Sequence, residues 1–476
     1  SDSAVLPVRR TDANYASGGG TVTVPALGVP ADGLTRIRGW REGDGSAPLA
    51  ALARRLEPAG PVRVPGPMLP ADARWLSLRA SSPGVAVDLT ADLRDPQGAI
   101  RQVAFGTAGA GGGFLRASVP PGRWELEALE LDEPTGLAIT NGHQNGENPA
   151  AATQSRTRVA LGPLLALQAG GRLLLRVPLG AWRGVGAAAT PAPASTAPAS
   201  TAPAGADVAT VTFTASGMPG VLRPTQPADT HPVPVLADAQ TAAAAEPGGR
   251  IALTVDGLPV IGRVVGVLSR FPTLPSDAAG FVVADEATLA AALDAQLPGQ
   301  GRADELWIGT GHPDRLRAAL GSGPLAQLDS SFRLDLEHQL RDAPVARGVL
   351  GTLIAATVLS VVLAVVGLLA ALFGAARDER VESDLREQGV GPRGLRAELR
   401  VRLTLVSVLG VVAGLAIAVL LTRLAVASVR SVGAVASPRP PVVTVVPWPA
   451  LAAWGAGTLA LLAIAGWLAT GRSVGR

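Results

Sequence analysis

Residues 377–402 read RDERVESDLREQGVGPRGLRAELRVR, a charged bridge between two long apolar stretches. The stretch before the bridge, 348–376, contains no charged residue, and neither does the stretch after it, 403–422. At about 1.5 Å per residue, each stretch is long enough as a helix to cross a hydrocarbon layer of roughly 30 Å. A third uncharged stretch follows at 448–470. The bridge is then expected in water or against a protein, on one side of a membrane.

The residues before the first apolar stretch follow a different pattern. Short alternating runs such as WLSLRA (75–80) are separated by turn residues such as Ser82-Pro83-Gly84 and Pro120-Pro121-Gly122. Several short strands at this spacing predict a β-sandwich. We therefore expect an α+β membrane protein, in which an extracytoplasmic β-rich domain (a β-sandwich plus an α+β subdomain) precedes a three-helix transmembrane segment.

Composition divides the chain further. A run of Pro, Ala, Ser and Thr without large apolar side chains is typical of a linker. The predicted organisation is an N-terminal α+β part at 1–72, a β-sandwich at 73–186, the linker at 187–206, a second α+β part at 207–346 and a transmembrane domain at 347–476.

The distribution of arginine predicts an orientation. The bridge holds seven arginines and the C-terminal tail two, whereas the loop at 423–447 holds three. Because basic residues concentrate on the cytoplasmic side, the bridge and the C-terminus are expected there. The expected location is the cell (plasma) membrane, crossed several times, with a large extracellular domain.

Composition also excludes several kinds of chemistry. There is no Cys, which excludes disulfides and thiolate catalysis. The net charge of +3 is too small to indicate nucleic-acid binding, which usually goes with a strongly basic protein. The four His residues are far apart in sequence and share no spacing typical of metal ligands, so we expect hydrogen-bonded or surface roles. No catalytic, cofactor or metal site is predicted, and the chain is not expected to be an enzyme.

The bridge has an amphipathic design. Val381 and Leu385 lie one turn apart on one face of a predicted helix, flanked by opposite charges at i,i+4 such as Arg380 and Asp384. Gly389 is suited to end that helix, and Pro392 to begin the next one. The alternative interpretation, a solvated loop, remains open for any charged run.

In the order of its segments, the sequence resembles the FtsX-like ABC permeases, which include macrolide-exporter and lipoprotein-releasing permeases. The matching positions are Arg377, Glu379, Leu385-Arg386, Gly389 and the turn at 393–399. Three short sequences also look like actinobacterial members of this family: RGWR at 38–41, ELWI at 305–308 and DAPVARGVLGTLIAATVL at 342–359. The resemblance is close over 347–476 and loose before it. The family has four membrane helices, so we expect the numbering to begin after the first.

The resemblance implies a mechanism and partners. In that family the bridge is a coupling helix that docks on an ATPase subunit and passes its motion to the extracytoplasmic domain. The residues expected at this contact are Glu379, Arg380, Val381, Asp384, Leu385, Arg386, Gly389 and Arg393. The ATPase must be a separate chain, because the P-loop motif needs a Lys and this sequence has none. Membrane lipid and a second copy, or a paired permease, are the other expected partners.

Further expectations concern single positions. Gly410 and Gly414, one turn apart, suit close helix packing. Trp75 and Trp124 are expected in the sandwich core, although aromatic side chains on a sandwich also suit sugar binding. Asp88 and Asp92 share a strand face and are expected to be solvated. The polar loop 141–148 is either a ligand contact or a solvated hairpin.

The alternative function belongs to another class. It is a membrane-anchored cell-surface binding or signalling protein whose β-sandwich binds polysaccharide.

Overall fold

The computed structural model describes residues 4–134, 156–189, 207–274, 280–342, 344–376, 401, 404–420, 423–424 and 448–472. The chain forms two compact units, which are unit 1 (Ser1–Gly311) and unit 2 (His312–Arg476). Helix α4 (Pro313–Leu320) and the helices after it lie in unit 2, and the first three helices and all strands described below lie in unit 1.

The strands of unit 1 are, in chain order, β1 (Ala4–Ser17), β2 (Gly20–Gly28), β3 (Trp75–Ser81), β4 (Val87–Arg94), β5 (Ile100–Ala108), β6 (Gly113–Ser118), β7 (Glu125–Asp132), β8 (Arg156–Leu161), β9 (Leu164–Leu167), β10 (Leu173–Val177), β11 (Arg183–Gly186), β12 (Ala188–Ala189), β13 (Ala209–Thr214), β14 (Gly220–Arg223), β15 (Val233–Ala237), β16 (Arg250–Val255), β17 (Leu258–Val267), β18 (Val282–Ala284) and β19 (Glu305–Gly309). Its helices are α1 (Leu49–Leu56), α2 (Ala239–Ala243) and α3 (Glu286–Asp294).

Two sheets of the β-sandwich face each other across one apolar core. The larger sheet has the order β10-β9-β3-β8-β13-β12, with β6 also paired to β3, and the smaller has the order β11-β14-β7-β4-β5. Alternate residues point inward, as in Leu76, Leu78 and Ala80 of β3, which are buried in this core. The period of two therefore leaves the intervening residues of each strand on the outer faces of the sandwich.

The third sheet joins segments that are far apart in sequence. Its order is β16-β17-β15-β18-β2-β1-β19, and the pairs β15–β17 and β18–β2 are parallel. The N-terminal hairpin β1–β2 thus shares one sheet with strands from 233–309, and the sandwich is inserted between them. Successive residues of β18 belong to two different apolar cores. Val282 lies in the core that includes residues of α3, and Val283 lies in the core that includes residues of α1.

A tight turn between β16 and β17 fixes the register of this sheet. Asp256 (φ 49°) and Gly257 (φ 79°) both adopt the left-handed conformation that a two-residue hairpin turn requires. The carboxylate of Asp256 also accepts a 2.5 Å hydrogen bond from Arg9 of β1. The turn is therefore tied to the neighbouring strand β1.

The cap of α3 gives a first prediction. Asp285 accepts hydrogen bonds of 3.0 Å from the Thr288 and Ala31 amides, so it connects α3 to the segment after β2. We expect Asp285→Ala to lower the free energy of unfolding by about 2 kcal/mol, because it removes the cap and leaves the Ala31 amide buried without its acceptor. Urea denaturation of the full chain checks this. Asp314→Ala, at a carboxylate whose side chain is 92% exposed, should cost much less, and equal losses would contradict the role of the cap.

In the part of the chain that the structure describes, unit 2 consists of helices joined by turns and short connections. Its helices are α4, α5 (Arg333–Asp342), α6 (Pro344–Ala376), α7 (404–420) and α8 (Trp448–Arg472). Helices thus form at each of the three apolar stretches. Within the described ranges, however, no helix combines the length and the apolar content that a membrane crossing requires.

This finding overturns the expected α+β membrane protein with a three-helix transmembrane segment. It also does not favour a membrane permease or a multi-pass location. What the described residues support is a β-rich protein whose second unit is helical.

Candidate functional site

The predicted contact with an ATPase lies outside the described residues. This holds for Glu379, Arg380, Val381, Asp384, Leu385, Arg386, Gly389 and Arg393 alike. The polar loop 141–148 and the linker residues 190–206 are also outside the described ranges. The roles expected for these residues therefore stay predictions.

The predicted helix packing at Gly410 and Gly414 lies in α7. A Cβ added at either position would meet no described heavy atom within 4 Å. A Cβ at Gly455 of α8, in contrast, would lie 3.4 Å from Leu415 and 3.8 Å from Val411 of α7. The approach of the two helices is thus seen at Gly455, and packing through Gly410 and Gly414 stays a prediction.

The outer face of the larger sandwich sheet carries a group of exposed arginines. The inward positions of β3 and β8 are core residues such as Leu78 and Val159, so the alternate positions point outward. We define the arginine face by Arg79 of β3, Arg116 of β6, Arg156 and Arg158 of β8, and Arg176 of β10, all exposed. Arg176 forms a 2.5 Å ion pair with Asp207 at the rim.

Aromatic rings lie among these arginines. Phe114 of β6 is 73% exposed and is the cross-strand partner of Arg79. The guanidinium of Arg116 lies over the Trp75 ring, 5.5 Å from its centroid, where the ring attracts a cation. Trp75 is therefore half-buried under an arginine on the outer side of the sheet, while Trp124 packs against the core.

The smaller sandwich sheet has the opposite charge on its outer face. Burial, followed by the charge of Glu130, raises the pKa of Asp92 to about 8. Burial, followed by the charge of Asp132, raises the pKa of Glu130 to about 7. Asp92 is fully buried, and within the described part of the chain neither of its carboxylate oxygens has a hydrogen-bond partner. The expectation that Asp92 is solvated is therefore wrong.

Ion pairs connect this acidic face to neighbouring segments of unit 1. Arg63 donates to Glu125 at 2.6 Å and to Glu127 at 2.7 Å. Arg94 donates to Glu127 at 2.8 Å and to Asp294, at the end of α3, at 2.7 Å. The outer face of the smaller sheet is therefore a covered interface within unit 1, and its charges have structural roles.

The two faces differ in what they can bind. Guanidinium groups hold carboxylates, sulfates and phosphates through forked hydrogen bonds, so the exposed arginine face suits an anionic ligand. Metal binding has no comparable support, because the described ranges hold no group of three or more His, Asp or Glu side chains placed for an ion. Sequence reasoning missed the arginine face, although the alternation Arg156-Thr157-Arg158 was a local signal of it.

Comparison with known proteins does not indicate a function for this site. No protein-family model matches the chain, and no curated protein matches it either. The resemblance to FtsX-like proteins therefore rests on the sequence pattern alone.

Proposed function

We propose that this chain is the non-catalytic subunit of a complex driven by a separate ABC-type ATPase. The ATPase would act on residues 377–402, and the folded unit 1 would be the part that is moved. The observation that supports this most is the division of the chain into a compact β-rich unit and a separate helical unit. A subunit that transmits motion needs such a folded body and a separate lever.

Helix α6 and the sequence after it supply the lever in this proposal. The helix runs for 33 residues, which is about 50 Å at 1.5 Å per residue. The charged bridge begins at Arg377, directly after its last residue. A force applied to the bridge would therefore act along a stiff rod. Since the chain has no lysine, the P-loop belongs to the partner, and two such chains would work as a pair.

A double substitution in the bridge tests this proposal. The tagged full chain is co-expressed with each ABC-type ATPase of the source genome in turn, and co-elution and ATP hydrolysis are measured. We expect one ATPase to co-elute, and Leu385→Glu with Arg386→Glu to reduce its recovery by at least about tenfold, because both an apolar contact and a charge are lost.

A matched variant controls for general damage to unit 2. Arg315→Glu with Leu325→Glu changes the same residue types at exposed positions outside the bridge. This control should keep the ATPase bound. If no ATPase co-elutes, or if both double variants behave alike, the proposal of an ATPase partner is wrong.

A second candidate function, carbohydrate binding by the β-sandwich, has its own observation in favour. Phe114 is exposed over most of its surface, beside Arg79, on an outer face of the sandwich. An exposed aromatic ring on a rigid sheet contributes nothing to the core but offers a flat apolar platform to a ligand. This candidate requires no ATPase and can hold whether or not the first one does.

A further inference from the structure

The charge on the arginine face is not balanced within that face. The outward positions of β3, β6, β8, β9, β10 and β13 include five arginines and no Asp or Glu. Among the residues that the structure describes, Arg176 alone of these five is paired with a carboxylate, that of Asp207 at the rim. By contrast, Arg63, Arg94 and Arg223, which lie around the smaller sheet, all bind carboxylates. The arginine face is thus a local concentration of positive charge.

Several of these arginines are free to meet a ligand. Within the described part of the chain, the side chains of Arg79, Arg156 and Arg158 make no hydrogen bond or ion pair, and all three residues are exposed. Arg116 is held over the Trp75 ring, which positions its guanidinium without occupying the hydrogen-bonding groups. An anion that reached this face would therefore displace no internal partner of these four side chains.

The shape of the face favours an extended ligand. Strands lie about 4.8 Å apart, so arginines distributed over β6, β3, β8 and β10 cover several strand widths of open sheet. A single small anion would reach one or two of them. A polymer that repeats its negative charge would reach most of them at once and gain from their combined effect.

The chemistry of the face favours a carbohydrate polymer over a nucleic acid. The protein as a whole has a net charge of only +3, and its smaller sandwich sheet is acidic, whereas nucleic-acid binders are usually strongly basic. Phe114 provides an exposed apolar contact beside the arginines, which matches a chain that combines sugar rings with charged groups.

We propose that the arginine face binds an extended anionic polysaccharide. The arginines would bind its carboxylate, sulfate or phosphate groups, and Phe114 would contact the sugar rings. This inference rests on the second candidate function and specifies its ligand class and residues. It is independent of the ATPase partner, so either proposal can fail without the other.

The test compares wild-type full chain with a variant of the face. Binding to sodium polygalacturonate is measured by biolayer interferometry at low and at physiological salt, with neutral dextran as the reference ligand. We expect binding to the polyuronate alone, weakened by salt. Arg79→Gln, Arg116→Gln and Arg158→Gln together should lower the affinity by about tenfold or more, because three charged contacts to one polymer are lost at once.

Two further variants separate a specific face from general charge. Arg54→Gln, Arg101→Gln and Arg263→Gln together remove the same charge from exposed positions elsewhere in unit 1 and should change the affinity less than about twofold. Phe114→Ala should lower the affinity a few fold with unchanged salt dependence. Its thermal stability should equal that of the wild type, because the side chain is 73% exposed.

Three results would overturn the proposal. The first is equal binding of polygalacturonate and dextran. The second is an equal loss of affinity in the two triple-glutamine variants. The third is tighter binding of a 20-nucleotide oligo(dT) or of poly-glutamate than of the polyuronate at the same salt, which would assign the face to nucleic acid or to an acidic protein instead.

Discussion

Replacement of Arg223 by Met is expected to lower the free energy of unfolding of unit 1 by about 3–5 kcal/mol. The side chain is 2% exposed, and its guanidinium donates to both carboxylate oxygens of Asp229 at 2.8 Å. It also donates to the carbonyl oxygens of Ala295 and Pro224. The substitution would leave a buried carboxylate without its main partner, which costs far more than the loss of an exposed pair.

The pKa of Asp229 supports this expectation. Burial on its own would raise that pKa, but hydrogen bonds from Arg223 and from the Gln226 amide outweigh it and hold the pKa below its ordinary value. The folded protein thus keeps Asp229 ionised by means of Arg223. Hydrogen exchange of peptides from β7 and β14, followed by mass spectrometry in increasing urea, measures the loss in the full chain.

Two controls sharpen the experiment on Arg223. Arg183 approaches the same carboxylate, at 3.9 Å, but its side chain is 49% exposed, so Arg183→Met should cost less than about 1 kcal/mol. Arg223→Met combined with Asp229→Leu should cost less than Arg223→Met alone, because no unpaired charge remains. If Arg183→Met and Arg223→Met lower the free energy of unfolding equally, the buried pair of Arg223 and Asp229 stabilises the fold no more than an exposed pair does.

Asp92→Asn is expected to stabilise the protein at pH 8 by about 3–5 kcal/mol and to leave it almost unchanged at pH 4. The wild-type carboxyl is fully buried without a hydrogen bond in the described part of the chain, and its pKa is raised to about 8. Asparagine has nearly the same shape but cannot ionise. It would therefore remove the cost of a buried charge at alkaline pH.

The direction of the pH effect follows from the raised pKa. Below about pH 4, Asp92 is protonated in both the folded and the unfolded chain and has no effect. As the pH rises towards 8, the unfolded chain releases its proton and the folded chain retains it, so the free energy of unfolding falls by up to about 1.4 kcal/mol per pH unit. The raised pKa of Glu130, about 7, adds a loss of the same sign over pH 4.5 to 7.

Thermal unfolding of the full chain at pH 4, 6 and 8 measures this dependence. The comparison variant is Asp72→Asn, at an exposed carboxylate of unit 1, which should follow the wild type at every pH. A melting temperature for Asp92→Asn that is below that of the wild type at pH 8 would refute the assignment of a buried, costly charge at this position.

Local patterns in the sequence identified part of the sandwich in unit 1. The alternation in WLSLRA and the turn residues 82–84 place β3 where the structure has it. These succeed because side-chain period and turn chemistry are local properties. The three long uncharged stretches near the C-terminus also predicted helices where the structure has them, although the membrane crossing inferred from their length was wrong.

The arginine face and the burial of Asp92 were not predicted, because both depend on contacts between segments far apart in sequence. Arg79 and Arg158 are 79 positions apart, and only the pairing of β3 with β8, through Ala80 and Leu161, places them on one face. Asp92 was expected to be solvated because it shares a strand face with Asp88 and nothing in the sequence indicated another role. The sequence of that strand does not reveal that a second layer, reached by Arg94 through Asp294, lies over the outer face.

The sheet that joins β1 and β2 to strands beyond residue 233 has a consequence for how the chain matures on the ribosome. The β1–β2 hairpin cannot pair with β18 and β19 until some 250 further residues have been translated. The inserted sandwich can fold earlier, because all residues of its apolar core lie within 69–222. The outer edges of the β1–β2 hairpin therefore stay unpaired during this time, and an interruption of translation before residue 305 would leave β1 without its partner β19.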